Sequence, residues 1–131
     1  MIHFSSYFLD GSLLLMRLVL FAVFFTSGWG HLASPEERAR SIGMSKAFTI
    51  FLGLAELSGS LGIALGVLTH FAALGLVLIM LGAIQKKAFE WHIGFWGKGE
   101  GTNNGWHYDL MLIAMNLVIA ATGGGRWVLF P

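Results

Sequence analysis

Residues 47–68 read AFTIFLGLAELSGSLGIALGVL, a 22-residue run in which Glu56 is the only charge. A helix needs about 20 apolar residues to cross a bilayer, so this stretch is long enough to span. It does not alternate apolar with polar, which argues against a barrel strand. A carboxyl group inside such a span is costly and marks a functional-site hypothesis. One stretch thus sets the fold class and supplies the first candidate residue.

Working outward, three further apolar segments appear. Residues 13–32 form the first, interrupted by Arg17 and ending at His31. Residues 71–84 are a third core that reaches spanning length only over about 70–91, with Lys86 and Lys87 snorkelling. Residues 108–122, or about 107–123, are the fourth, stopping at Gly123, Gly124 and Gly125. The expected fold is an all-α integral membrane protein, a single domain over 1–131 built as a four-transmembrane-helix bundle. Composition agrees: the chain is 56% hydrophobic and 11% charged, against about 25% charged for soluble domains. The N-terminal run does not read as a signal peptide, because no Lys or Arg precedes it and it is too long for an h-region.

The same numbers exclude other classes. A net charge of +1 with scattered basic residues gives no footprint for nucleic acid. The absence of cysteine excludes disulfides, cysteine-held iron–sulfur clusters and thiol nucleophiles within this chain. No intrinsic cofactor is expected.

Charge bias sets an expected orientation. The connections after the first and third spans carry Arg38, Arg40, Lys46, Lys86, Lys87 and Lys98, while the other side carries Arg126 outside the spans. The positive-inside rule puts both long connections in the cytoplasm and both termini outside, in a cell inner membrane. Trp29, Trp91, Trp96 and Trp106 then fall at the inner boundary and Trp127 at the outer, as an interfacial belt. The connection 89–105 is long and irregular, as functional loops are.

Polar groups converge in the inner half. With a rise of about 1.5 Å per residue, Glu56 lies about 13 Å, Asn116 about 12 Å and Ser27 about 7 Å from the inner ends of their spans. His31, Gln85, His92, His107 and Asp109 lie at or near that end. The expectation is a pocket floored by Glu56 and Asn116 and rimmed by histidines. Glu56 either handles protons or a ligand, or holds helices together through a hydrogen bond. Arg17 lies about 10 Å further out along the axis. It either pairs with Glu56 or snorkels to the outer interface. His31, His92 and His107 show no metal-ligand spacing, so no metal is expected. Gly62 and Gly66 form a GxxxG suited to close helix packing.

Ordered blocks along the chain resemble the DoxX family of small four-helix membrane proteins. They are Arg17-Leu18-Val19-Leu20 with Gly30-His31-Leu32, then Glu56-Leu57-Ser58-Gly59, then Gly94-Phe95-Trp96, then Gly105-Trp106 with Tyr108-Asp109-Leu110 and Gly125-Arg126-Trp127. The resemblance implies a membrane subunit associated with a quinone-linked oxidoreductase. The residues themselves add a site: an apolar pocket with a carboxylate and histidines suits a quinone, with proton handling at Glu56, Arg17 and His107 and the pocket at His31, His92, Trp106, Asp109 and Asn116. The chain departs from the family pattern at Ser27, His31 and His107. A non-catalytic accessory subunit and a small-solute or proton transporter are the other readings. Expected partners are membrane lipid, a quinone, and other complex subunits or further copies of the chain.

Overall fold

The computed structural model describes residues 2–97 and 105–130. Lys98, one of the charges used for orientation, lies outside the described residues. Helix α1 spans Ile2–Ala33, so it begins well before the apolar run. Tyr7, Phe8 and Leu9 extend it, to about 48 Å in all. It turns at Ser34 into a short helix, α2, Pro35–Ile42. Pro35 sits in the first turn, where a missing N–H costs nothing, and Glu36 and Glu37 complement the helix dipole there. Gly43 closes α2 in the left-handed conformation, at φ 70°.

Helix α3 is Lys46–Leu65, started by Ser45, whose Oγ accepts from the Phe48 N–H at 3.1 Å. Gly66 ends it at φ 75°. After a tight turn α4 runs Thr69–Gln85 and continues into a π-helical turn, Lys86–Glu90. Helix α5 is Trp106–Thr122. Three spans, Ser6–Ala33, Lys46–Leu65 and Thr69–Glu90, are long and apolar enough to cross a membrane, and Trp106–Thr122 is a shorter apolar helix.

Neighbouring pairs are α1–α3, α3–α4, α4–α5 and α5–α1, so α3 faces α5 across the bundle. One end carries both chain termini and the α3–α4 turn. The opposite end, here the loop end, carries α2, the π turn and the start of α5.

Within the spans, charged and polar side chains turn into the bundle while many large apolar ones face out. Inward residues of α3 are Thr49, Gly53, Glu56, Ser60 and Ile63, at the 4-3-4-3 spacing of a packed seam. Asp10, Arg17 and His31 of α1 and Asp109 and Asn116 of α5 are likewise buried. They interleave with an apolar core that includes Leu20, Phe24, Leu76, Ile113 and Ile119. Outside, Leu15, Phe51, Leu54, Phe71, Leu78 and Met111 are exposed. A soluble protein would reverse that arrangement. Lipid tolerates it, provided polar groups turn inward. The protein is therefore a multi-helix membrane bundle.

Candidate functional site

The α1–α3 seam positions Glu56. The two helices touch backbone to backbone: a Cβ on Gly28 would lie 2.8 Å from the Gly53 carbonyl oxygen and 3.1 Å from Glu56 Cβ. A Cβ on Gly53 would lie 3.0 Å from His31 Cβ. Glycine at both positions lets the carboxyl reach the seam. Glu56 is only 3% exposed and faces the Ser27 hydroxyl of α1. Its Oε2 has no hydrogen-bond partner. No ion pair among the described residues includes it.

Arg17 lies elsewhere and is committed elsewhere. Its Nε donates to the Ile63 carbonyl at 2.8 Å and Nη2 to the Ala64 carbonyl at 3.0 Å. Nη1 donates to the carbonyls of Trp127 at 2.8 Å and Gly124 at 3.4 Å. Ile63 and Ala64 are in the last turn of α3, whose carbonyls lack partners within the helix. The guanidinium thus caps α3 at its negative end and ties the C-terminal tail down. Both sequence expectations for Arg17 give way. At 1% exposure it does not snorkel, and carbonyls take the donors that an ion pair with Glu56 would need.

The tail is held by a second clamp that the sequence did not suggest. Asp10 accepts from the Arg126 backbone N–H at 3.1 Å and from Arg126 Nε at 2.7 Å. An added Cβ on Gly124 would lie 3.0 Å from Arg17 Cδ, and one on Gly125 3.2 Å from Asp10 Oδ1, so side chains there would be tight. Their φ values of 89° and 91° favour glycine as well.

The expected histidine rim does not assemble. His31 is buried, and its Nδ1 lies 2.8 Å from the Ser27 carbonyl oxygen. A carbonyl only accepts, so Nδ1 carries the hydrogen and Nε2 of the neutral ring is an acceptor. His92 is exposed and adopts φ 52°. His107 donates from Nδ1 to the Phe95 carbonyl at 2.7 Å, and its backbone N–H donates to the same oxygen at 3.0 Å. Trp106 packs edge-on against Phe95, with ring centres 4.6 Å apart. His107 and Trp106 therefore staple the segment before α5 onto its first turn. Among the described residues no three His, Asp or Glu side chains gather as a metal site.

Asp109 pairs with Lys87, Nζ lying 2.9 Å from Oδ2 outside hydrogen-bond geometry. The π turn that carries Lys87 thereby docks on α5. Asn116 is fully buried and donates to the Leu112 carbonyl of its own helix at 2.9 Å, leaving Oδ1 without a partner. Of the residues expected to form one pocket, the structure brings Glu56, Ser27 and His31 to a single seam. Asn116 sits on the facing helix, His92 lies after the π turn, and Trp106 and His107 form the first turn of α5, bound to Phe95.

Arg38 was read only as a loop charge and is the residue the sequence reasoning missed. It lies half-buried on α2 against Gly30. Its charge reaches both His31 and Glu56. A helix start at Ser34-Pro35-Glu36-Glu37 and a stop at Gly43 were available as signals.

Two grooves lie toward the opposite end. One of about 480 Å³ runs between α3 and α4 along Gly59, Gly62, Leu65 and Phe71. The other, of about 570 Å³, lies by His70, Gly123 and Phe130. Neither is lined by Glu56. His70 is exposed there, its Nδ1 bonded to the Ala120 carbonyl.

A helical bundle with an apolar exterior, a polar seam and a deeply buried acid defines a small multi-span membrane protein. The DoxX family model matches residues 12–91, more than half of the chain, and the chain belongs to the DoxX family. The match takes in Arg17, His31, Arg38 and Glu56 and ends before α5. No curated protein and no solved structure matches the chain.

Proposed function

We propose that this DoxX protein is the membrane subunit of a quinone-linked oxidoreductase and that Glu56 handles protons beside the quinone. The observation that carries this reading is the state of Glu56: 97% of it is buried, since 3% is exposed, and one carboxyl oxygen has no partner. Arg17, the cation that would have made it a closed ion pair, is engaged by four carbonyls. An acid kept in a span with no ion-pair partner and one carboxyl oxygen unbonded suits proton exchange with a bound ligand. A quinone fits chemically: its ring belongs in the apolar phase, and its oxygens need hydrogen bonds and protons. Electrons come from a partner subunit in this reading.

The test is a titration of a short-tailed benzoquinone into the purified protein in lipid nanodiscs. Wild type is expected to bind, and Glu56→Gln to lose binding while remaining folded. Absence of wild-type binding, or full retention in Glu56→Gln, would sink the proposal.

A second reading, an accessory subunit, draws on Gly75 and Gly82. They share one face of α4, and an added Cβ at either meets nothing within 4 Å. Such a face suits close contact with another helix. In that case the isolated complex would keep its activity when Glu56→Gln is introduced.

A further inference from the structure

Arg38 is a cation without an assigned task. It shares the inward face of α2 with Pro35, Ala39 and Ile42, while Glu36, Glu37 and Arg40 are exposed. Its guanidinium occupies space that a side chain at position 30 would fill. Gly30 immediately precedes His31, and His31 in turn packs on Gly53, one turn before Glu56 on α3. A guanidinium carries five N–H donors. No hydrogen bond or ion pair among the described residues uses any of them. The guanidinium is half-buried, and its donors remain open to a ligand. Three groups with spare capacity, Arg38, His31 Nε2 and Glu56 Oε2, thus come from α2, α1 and α3 to the loop-end half of one seam.

We infer that Arg38 is the ligand-binding cation of the Glu56 site and takes an acceptor oxygen of the ligand, a ring carbonyl in the quinone reading on which this inference rests. The division of labour follows from donor and acceptor chemistry. Arg38 only donates, so it holds a carbonyl oxygen. His31 Nε2 accepts, so it suits the hydroxyl of the reduced ring. Glu56, deeper in the seam, supplies the exchangeable proton. Gly30 keeps room for the guanidinium, and the short α2 helix carries it. A cation that merely offset the Glu56 charge would affect stability and leave ligand affinity alone.

The experiment is the short-tailed benzoquinone titration in nanodiscs, with the melting temperature of each variant recorded alongside. Arg38→Gln and Gly30→Ala are expected to raise Kd about 10- to 100-fold, the range of a lost charge-assisted hydrogen bond. Arg38→Lys keeps the charge without the fork and falls between. Arg40→Gln, on the exposed face of the same helix, leaves Kd unchanged. Equal affinity in wild type, Arg38→Gln and Gly30→Ala, with Glu56→Gln still losing binding, overturns this inference and leaves the quinone reading standing. An equal loss in Arg40→Gln also overturns it, because a diffuse charge effect would then suffice. No binding by wild type overturns both.

Discussion

Glu56 and Arg17 are both charged residues buried in spans, and their surroundings give them opposite meanings. Arg17 has all its neighbours arranged to accept from it: two carbonyls at the end of α3 and two in the tail. Glu56 has a hydroxyl beside it and an oxygen with no partner. The first pattern is that of a structural clamp, and the second is the one on which the proposed proton role rests. Arg17→Met should therefore act on stability. Losing the charged donor strands buried carbonyls, at about 1–3 kcal/mol. A lower melting temperature by tryptophan fluorescence, with benzoquinone affinity unchanged in the folded fraction, is expected. Unchanged stability with lost affinity would return Arg17 to the site. The sequence made both residues conspicuous, because a charge in an apolar run is visible without a structure. It could not separate them. Spacing along one helix gives depth, whereas what a guanidinium donates to depends on the path of a tail more than a hundred residues away.

Among the elements, the glycines divide into two kinds that look alike in the sequence. Gly28 and Gly53 bring the α1 and α3 backbones together, and an added Cβ meets backbone atoms at 2.8–3.0 Å. Gly75 and Gly82 of α4 have open space around them. Gly28→Ala should destabilise the bundle by about 1–3 kcal/mol through overpacking. Gly75→Ala and Gly82→Ala should leave the monomer as stable or more so, because alanine is the better helix former by about 1 kcal/mol. Melting temperatures of the three variants in detergent measure this, and equal losses in all would refute the distinction. The spans themselves were legible, since runs of apolar residues declare themselves. The α2 helix was legible too, from Pro35, Glu36, Glu37 and Gly43, but its high polarity made it read as a connection. The α1 start at Ile2 was hidden by Asp10, a charge that ends an apolar run on paper. In the fold it is satisfied by Arg126.

For the whole molecule, polar and apolar surfaces are sorted as a bilayer requires. Large apolar side chains point outward, while Glu56, Asn116, Arg17 and Asp109 point inward. The two ends do different work. The terminal end is closed by Arg17 and by the Asp10–Arg126 clamp. Among the described residues, the loop end leaves Glu56 Oε2, His31 Nε2 and the Arg38 guanidinium without a hydrogen-bond partner. Helical rise put Glu56, Ser27 and the helix-end His31 toward one end of their spans, and the structure brings these three to one seam, but the same reasoning gathered further residues that the fold keeps apart. His92, His107 and Trp106 lie near the same end, but His92 is exposed after the π turn and Trp106 and His107 are taken by Phe95, contacts that no periodicity records. If the loop-end half is where this subunit meets its quinone, the purified native complex should show it. The decisive measurement is a density map of that complex prepared with a bound benzoquinone. A ring-shaped density beside the α1–α3 seam, within hydrogen-bond distance of Glu56, is the expected result. A seam closed by Glu56 bonding to a neighbouring helix, with the ring bound elsewhere, would contradict it.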